Sequence, residues 1–281
     1  MLKRVIGYLA HSDRPAPEAS RQLHDRGFAI VKGAFDAAAT TALAAEIEGV
    51  FDALPPDIRN DTRPPEDYES FRYEMLNRSP LCQQAVANPA ILSVIEPLLG
   101  SDCHVIANTA WRNPPEPVPK AAQLWHIDAG PHVPRPPGTH WPDEIPYPVF
   151  AIGAHILLRD QTLDDGPTGV IPGSHRSGLF PPFDRVTDGE LSYEGERCTP
   201  MLAEAGDVTL FVSDVWHRRM PASAATRGRF FLQVHYGRRD IAQRLRLTRE
   251  ANGLSPDAVR RAATPREQTV IGLHPPYFYD S

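Results

Sequence analysis

The chain runs to 281 residues with 30 prolines, enough length for one large domain and too much proline for a helical bundle or coiled coil. Its 29 basic and 35 acidic residues give a formal net charge of -6 without a basic block, which argues against nucleic acid or an anionic membrane as partner. Cys82, Cys103 and Cys198 show no C-x-x-C pairing and read as free thiols of a cytoplasmic protein.

The opening "MLKRVIGYLAHSD" has too short an apolar run for an export signal, and no segment approaches the length of a membrane span. "PEASRQLHDRG" predicts a short helix closed by Gly27, and "FAIVKG" a strand. "DAAATTALAAEIEGVF" predicts a helix capped by Asp36 with Leu43, Ile47 and Val50 on one face. "NPAILSVIEPLLG" carries Asn88 as N-cap, Pro89 at the first helical position and Gly100 as terminator, with Pro97 expected to kink it or end it early. These helices are expected to cover one side of a sheet.

From about position 103 the texture changes to short apolar or alternating runs separated by proline- and glycine-rich turns, the pattern of an antiparallel sandwich or barrel. The runs are "CHVIANTAWR", "AQLWHID", "VFAIGAHILLRD", "GVIPGSH", "DVTLFVSDVWH" and "RFFLQVHYG". After Gly237 the chain returns to helix, with Ser255 and Pro256 as a start signal, and the closing "HPPYFYDS" is expected to pack on the core. The chain thus reads as a single domain: a helical part over about 15–100, a β core over about 103–237 and a helical tail over 238–281.

Within "QLWHIDAG", His126 and Asp128 stand two apart, so on a strand they share a face. Such a pair is an ion pair, half of a catalytic dyad, or two ligands of a metal. His217 follows what reads as one continuous strand, and the next strand opens with Arg227 and Arg229. Two histidines and one carboxylate form the facial triad of non-heme Fe(II) oxygenases, which leaves coordination positions open.

Four stretches make the chain resemble the phytanoyl-CoA dioxygenase (PhyH) family of Fe(II)/2-oxoglutarate-dependent oxygenases. They are "WHID", "DDGPTGVIPGSHRSG", "AGDVTLFVSDVWHR" and "RGRFFLQVHY", and with "LHDRGFAIVKGAFD" the resemblance covers most of residues 20–240. It implies a mainly β fold with flanking helices, a double-stranded β-helix or jelly roll of the cupin kind. It also implies iron held by His126, Asp128 and His217, with 2-oxoglutarate and O2 as cosubstrates and a small molecule as prime substrate. Asp128 is retained where halogenating relatives have a small residue, so the resemblance implies hydroxylation or a related oxidation rather than halogenation, with release of succinate and CO2. A departure is Arg219, two residues after the distal histidine, where the family commonly has a small or hydroxyl residue.

The far carboxylate of 2-oxoglutarate needs a charged partner, for which the planar fork of arginine is suited. Gly228 is a turn or strand-start residue, which leaves Arg227 in the connection and makes Arg229 the expected clamp. That arginine separates this reading from two others of the same fold: a cupin-like zinc or manganese protein with non-oxidative chemistry, and a non-catalytic binding module. Asn108, Trp111 and Arg112 fall on the strand before the H-x-D motif, where relatives place substrate or cosubstrate contacts; ordinary strand packing is the alternative. His235, on the same face as Arg229, Phe231 and Gln233, is a further substrate-binding candidate. So is Trp141, in a long loop over 131–148 that is expected to form a lid. His175 is expected to hold its own loop, and His155 to be a satisfied strand histidine.

Overall fold

Helix caps and strand alternation together set the layers. The computed structural model describes residues 17–53, 70–115, 119–128, 130–243 and 253–274. The N-terminal half contains α1 (Glu18–Arg26), β1 (Phe28–Val31), α2 (Ala37–Ala53), β2 (Phe71–Tyr73), α3 (Met75–Arg78), α4 (Pro80–Ala85), α5 (Pro89–Leu99) and β3 (His104–Asn113). There follow β4 (Ala151–Leu157), β5 (Thr168–Val170), β6 (Ser192–Tyr193), β7 (Glu196–Arg197), β8 (Thr199–Pro200), β9 (Val208–Val212), β10 (His217–Arg219) and β11 (Arg229–Gly237). Two short helices, α6 (Pro256–Arg261) and α7 (Pro265–Val270), come last.

Gly27 closes α1 in the left-handed region at φ 82°, Asp36 accepts from Ala39 N at 2.8 Å, Asn88 accepts from Ala90 N, and Ser255 accepts from Ala258 N. Each of these caps satisfies a backbone group that the helix cannot pair internally. Pro97 does not end α5, which continues to Leu99.

The large sheet has the order β1-β9-β4-β11-β3-β2, with every pairing antiparallel. A smaller sheet, β10-β5-β8, faces it, and the two make the jelly roll. Alternation sorts the side chains. Ile152, Ala154, Ile156, Leu210, Leu232, Val234 and Tyr236 point outward and are buried against Leu43, Ile47, Ile91, Leu92 and Ile95 of the helices. The Tyr236 hydroxyl donates to Val86 O at 2.9 Å, tying the central strand to the helical layer. The opposite residues of the same strands face the smaller sheet and form the wall of the site.

Three expectations are corrected. "DVTLFVSDVWH" is not one strand: β9 ends at Val212, a turn carries Val215 and Trp216 into the core, and His217 itself begins β10. "AQLWHID" forms no regular strand either, and is held to β10 by a bridge at His126 and His217. "GVIPGSH" leaves its strand at Val170 and tightens into a helical turn over Ser174–Ser177. The stretch "MLKRVIGYLAHSD", and all of "HPPYFYDS" except His274, lie outside the described residues. No helix among the described residues is long and apolar enough to cross a membrane.

Asp165 locks the "DDG" turn to the entrance of β11. Its carboxylate is fully buried and accepts from Thr162 N and Oγ1, at 3.0 and 2.8 Å, and from Thr226 Oγ1 and Arg227 N, at 3.2 and 2.8 Å. Burial raises its pKa, but the four donors lower it further, to a net value below the ordinary 3.8. Asp165→Asn sets an N–H against donors and is expected to cost roughly 2 kcal/mol or more, read as a lowered unfolding midpoint. Because the folded pKa is depressed, the carboxylate's contribution is complete above 3.8 and is lost as pH falls through the folded value. The gap in stability between the two proteins should therefore narrow in acid.

Candidate metal centre

His126 and His217 exchange both backbone hydrogen bonds, each 3.0 Å, which brings their rings side by side with centroids 4.4 Å apart. Asp128 sits two residues on at a bend held by Asp128 N donating to Ser213 O at 3.2 Å. Its Oδ1 lies 3.4 Å from His217 Nε2 and 4.0 Å from His126 Nε2. One ligand atom from each of the three residues falls within 4.8 Å of the others. Gly130 permits the sharp exit at φ 106°, since a Cβ there would stand 2.5 Å from His132 N and 2.9 Å from Asp214 Oδ1. Asp214 then accepts from His132 N at 2.9 Å and pairs with the His132 ring.

The donor set fits a divalent cation. His126 Nδ1 lies 2.8 Å from Leu124 O, and His217 Nδ1 lies 2.9 Å from Val215 O. A carbonyl only accepts, so both protons sit on Nδ1 and both Nε2 lone pairs face the centre, the tautomer metal binding requires. Burial and the neighbouring His217 lower the His126 pKa, whereas Asp128 outweighs burial and raises that of His217. Burial also raises the pKa of Asp128, but His217, His235 and His126 lower it far more, so it is an anion.

The wall of the large sheet runs away from this centre along β11. His235 Nε2 lies 3.6 Å from Asp128 Oδ2 and 2.8 Å from Gln233 Nε2. Trp111 Nε1 donates to Gln233 Oε1 at 2.7 Å. Arg229 is buried at the far end, its Nε donating to Asn113 Oδ1 at 3.2 Å and its Cζ 5.3 Å from the Phe231 ring. Gly228, at φ 80°, makes the turn before it. Arg227 points the other way: its side chain is 55% exposed, 3.9 Å from Asp160 and 4.0 Å from Asp165. Arg219 is also buried and shares the face of His217 on β10.

Parity separates the candidates on β3. Trp111 faces the wall, whereas Asn108 is buried against the helices, accepting from Leu76 N at 3.0 Å and donating to Gln233 O at 3.2 Å. Arg112 reaches Asp52 at 3.2 Å and stacks over Phe51, also outside the wall. Trp141 bonds Ile145 O within its own loop and packs edge-on to Tyr147. His175 is buried and reaches His24 O at 2.9 Å, the loop-holding role expected. His155 is not the satisfied histidine expected: its Nδ1 is buried without a partner. Asn113 and Gln233, which the sequence did not single out as contacts, are brought beside Arg229 and His235; the same two-residue alternation could have found them.

Two imidazoles and a carboxylate around one point form the donor set of mononuclear non-heme iron enzymes. A family profile for phytanoyl-CoA dioxygenase (PhyH) matches residues 23–228. The chain belongs to this family of iron- and 2-oxoglutarate-dependent oxygenases. Among solved structures, EctD from S. alaskensis with 2-oxoglutarate and 5-hydroxyectoine is similar at 18% identity and TM-score 0.64, over 87% of this chain and 88% of that one. HygX from Streptomyces hygroscopicus, with nickel and 2-oxoglutarate, is similar at 18% and 0.60, over 85% and 95%. The epimerase SnoN, in complex with Fe3+, alpha ketoglutarate and nogalamycin RO, is similar at 17% and 0.59, over 85% and 95%. At these identities the likeness establishes the fold.

Proposed function

We propose that the chain hydroxylates a small molecule, taking 2-oxoglutarate and O2 as cosubstrates and releasing succinate and CO2. The observation that carries this reading is the placement of His126, Asp128 and His217 on the same inner space as the buried Arg229. The iron and 2-oxoglutarate bound by similar proteins support it further. Iron held by His126 Nε2, Asp128 Oδ1 and His217 Nε2 would supply the activation of O2. One oxygen atom ends in succinate and the other in the product; 2-oxoglutarate gives up two electrons and the substrate C–H bond two.

The chain's own residues bind, orient and exclude water. Leu124 O and Val215 O fix the imidazole tautomers, and the Asp128 carboxylate offsets part of the metal's charge. Arg229, steadied by Asn113, receives the far carboxylate of the cosubstrate. Phe211, Phe231 and Trp111 line the space between and keep it dry. Of the substrate-binding candidates, Trp111 and His235 lie at this wall. The cytoplasm is the setting that suits its three free cysteines, the buried Cys82 and Cys103 thiols having pKa values pushed up to about 12.

Labelling tests the reaction. Turnover under 18O2 with Fe(II), 2-oxoglutarate and a panel of small molecules is expected to give a product that gains one labelled oxygen for each succinate formed. Succinate formed with an unlabelled product would replace hydroxylation by another outcome, epimerase-like if the product is an isomer of the substrate and ring-closing if it has lost two hydrogens.

The loop over 131–148 supports a lid that is hinged at both ends. His132 is held by Asp214, and Tyr147 is buried edge-on to His175, while the stretch between is largely exposed. Limited proteolysis within 136–146 is expected to slow when Fe(II) and an inert 2-oxoglutarate analogue are added with substrate. An unchanged cleavage rate would remove the lid.

A further inference from the structure

The lid over 131–148 holds a guanidinium that the protein leaves without an acceptor. Arg135 N donates to Gly178 O at 3.2 Å, which draws the start of the lid onto the end of the turn over Ser174–Ser177. Gly178 is at φ 66°, and a Cβ there would stand 2.6 Å from Val133 O and 3.0 Å from Arg135 Nε, so the arginine lies this close because position 178 has no side chain. The Arg135 Cζ is 6.0 Å from the ring centroids of both Trp141 and Tyr147, which meet edge-on at 5.3 Å. Between them, His140 of the lid lies 3.9 Å from Glu194, in the turn that joins β6 to β7.

Arg135 Nε and Nη1 and the Tyr147 hydroxyl are cut off from solvent, and none of the three has a hydrogen-bond partner among the described residues. Tyr147 is only 4% exposed. Burial, and then the charge of Asp214, pushes its phenol up to about 12, so the hydroxyl keeps its proton and can donate. The anions nearby are committed elsewhere: Asp214 to His132, Glu194 to His140 and Asp25 to Arg176. The two ring faces, at the outer limit of a cation–π contact, offer these donors no lone pair. Guanidinium nitrogens and a hydroxyl shut away from water without an acceptor cost free energy, and an acceptor from outside the protein recovers it.

We propose that Arg135 and Tyr147 form a binding site for the carboxylate of a small organic acid, which closes the lid by joining its two ends. The local charge selects a carboxylate over a phosphate dianion. Arg176, the other arginine that acts on Tyr147, is paired with Asp25, so one guanidinium remains for a single negative charge. The arginine fork and the phenolic hydroxyl together supply donors for both carboxylate oxygens. On the oxygenase reading, both carboxylates of 2-oxoglutarate are taken up at the iron and at Arg229, so the acid held here is a different molecule. It is either the prime substrate or a separate acid that seals the lid over it.

The test uses protein loaded with Fe(II) and 2-oxoglutarate without O2, at constant ionic strength. Acetate is titrated against it, with acetamide and inorganic phosphate as comparisons, and the readout is proteolytic cleavage at Glu144 in the exposed part of the lid. Acetate is expected to slow cleavage saturably while the visible charge-transfer band of the loaded protein stays unchanged, and acetamide to leave cleavage as it was. Arg135→Gln should weaken the acetate effect by about tenfold or more, the loss of hydrogen bonds to a charged group, and Arg135→Lys should recover part of it. Tyr147→Phe should weaken it several-fold, and decides if Arg135→Gln does not fold. No protection by acetate, or equal protection by acetamide, overturns the site; stronger protection by phosphate overturns the carboxylate assignment. Faster cleavage of acid-free Arg135→Gln with unchanged acetate affinity would make Arg135 a brace of the lid and overturn the site as well. Under O2, faster succinate formation with acids than with their amides identifies the bound acid as prime substrate, whereas acetate that speeds turnover of a neutral compound identifies a separate acid. Absence of the band in wild type overturns the oxygenase reading alone, and acetate protection of the metal-free protein then decides this site.

Discussion

Asp128→Ala should abolish conversion of 2-oxoglutarate to succinate while leaving cooperative unfolding near the wild-type temperature. The carboxylate is at a bend, its side chain 23% exposed, and it adds nothing to the apolar core. Its loss removes the one anionic donor among the three. Fe(II) affinity is therefore expected to fall by more than about a hundredfold, since losing even an outer partner of a ligand costs up to that much. His217→Ala should be equally inactive but less stable, because His217 is buried against Phe211 and its removal leaves a void of several atoms. His126→Ala, on a half-buried residue, should fall between them in stability. Equilibrium dialysis against Fe(II), succinate assay and thermal unfolding of the three variants check this; wild-type succinate formation by any one would remove that residue from the centre.

Arg229→Ala should weaken 2-oxoglutarate by about ten- to a hundredfold, with little change in Fe(II) affinity, and Arg227→Ala should do almost nothing. Position decides between them. Arg229 is the first residue of β11, buried and steadied by Asn113, and leans over Phe231 toward the centre. Arg227 belongs to the connection before Gly228, where its backbone N–H is held by Asp165 and its side chain lies against Asp160 and Asp165 at the surface. Any charge it lends is screened by solvent. Arg229→Lys keeps the charge but loses the fork, so it should recover only part of the affinity. The reverse ranking would move the clamp to Arg227.

What could be read from the residues follows from how local each cause is. Asp36 and Asn88 cap their helices, and Gly27 closes α1, through contacts within a few residues, so those ends are legible. The ten residues of β3 and the nine of β11 alternate visibly. The small sheet does not, because β10 and β5 have three residues each and are flanked by turns. Val215 and Trp216 are buried from within a turn, so an apolar run there imitates a strand. The same parity that predicted His126 and Asp128 side by side assumed a regular strand; what brings them together is a two-way backbone bridge to His217 and a bend at Asp128 held by Ser213 O. Asn108 and Arg112 share the outer face of β3 and Trp111 the inner, a distinction that alternation carries once the face of one residue is known. Nothing in the sequence reveals that His155 lacks a partner, because that depends on what three strands leave unpaired around it.

The most direct measurement is the visible spectrum of the anaerobic protein on addition of Fe(II) and then 2-oxoglutarate. A charge-transfer band that saturates with the cosubstrate, is lost in Asp128→Ala and is right-shifted in concentration by Arg229→Ala is the predicted result. A wild-type protein that gives no band would contradict the account, and would return the jelly roll to a metal-binding protein of non-oxidative chemistry or to a binding module.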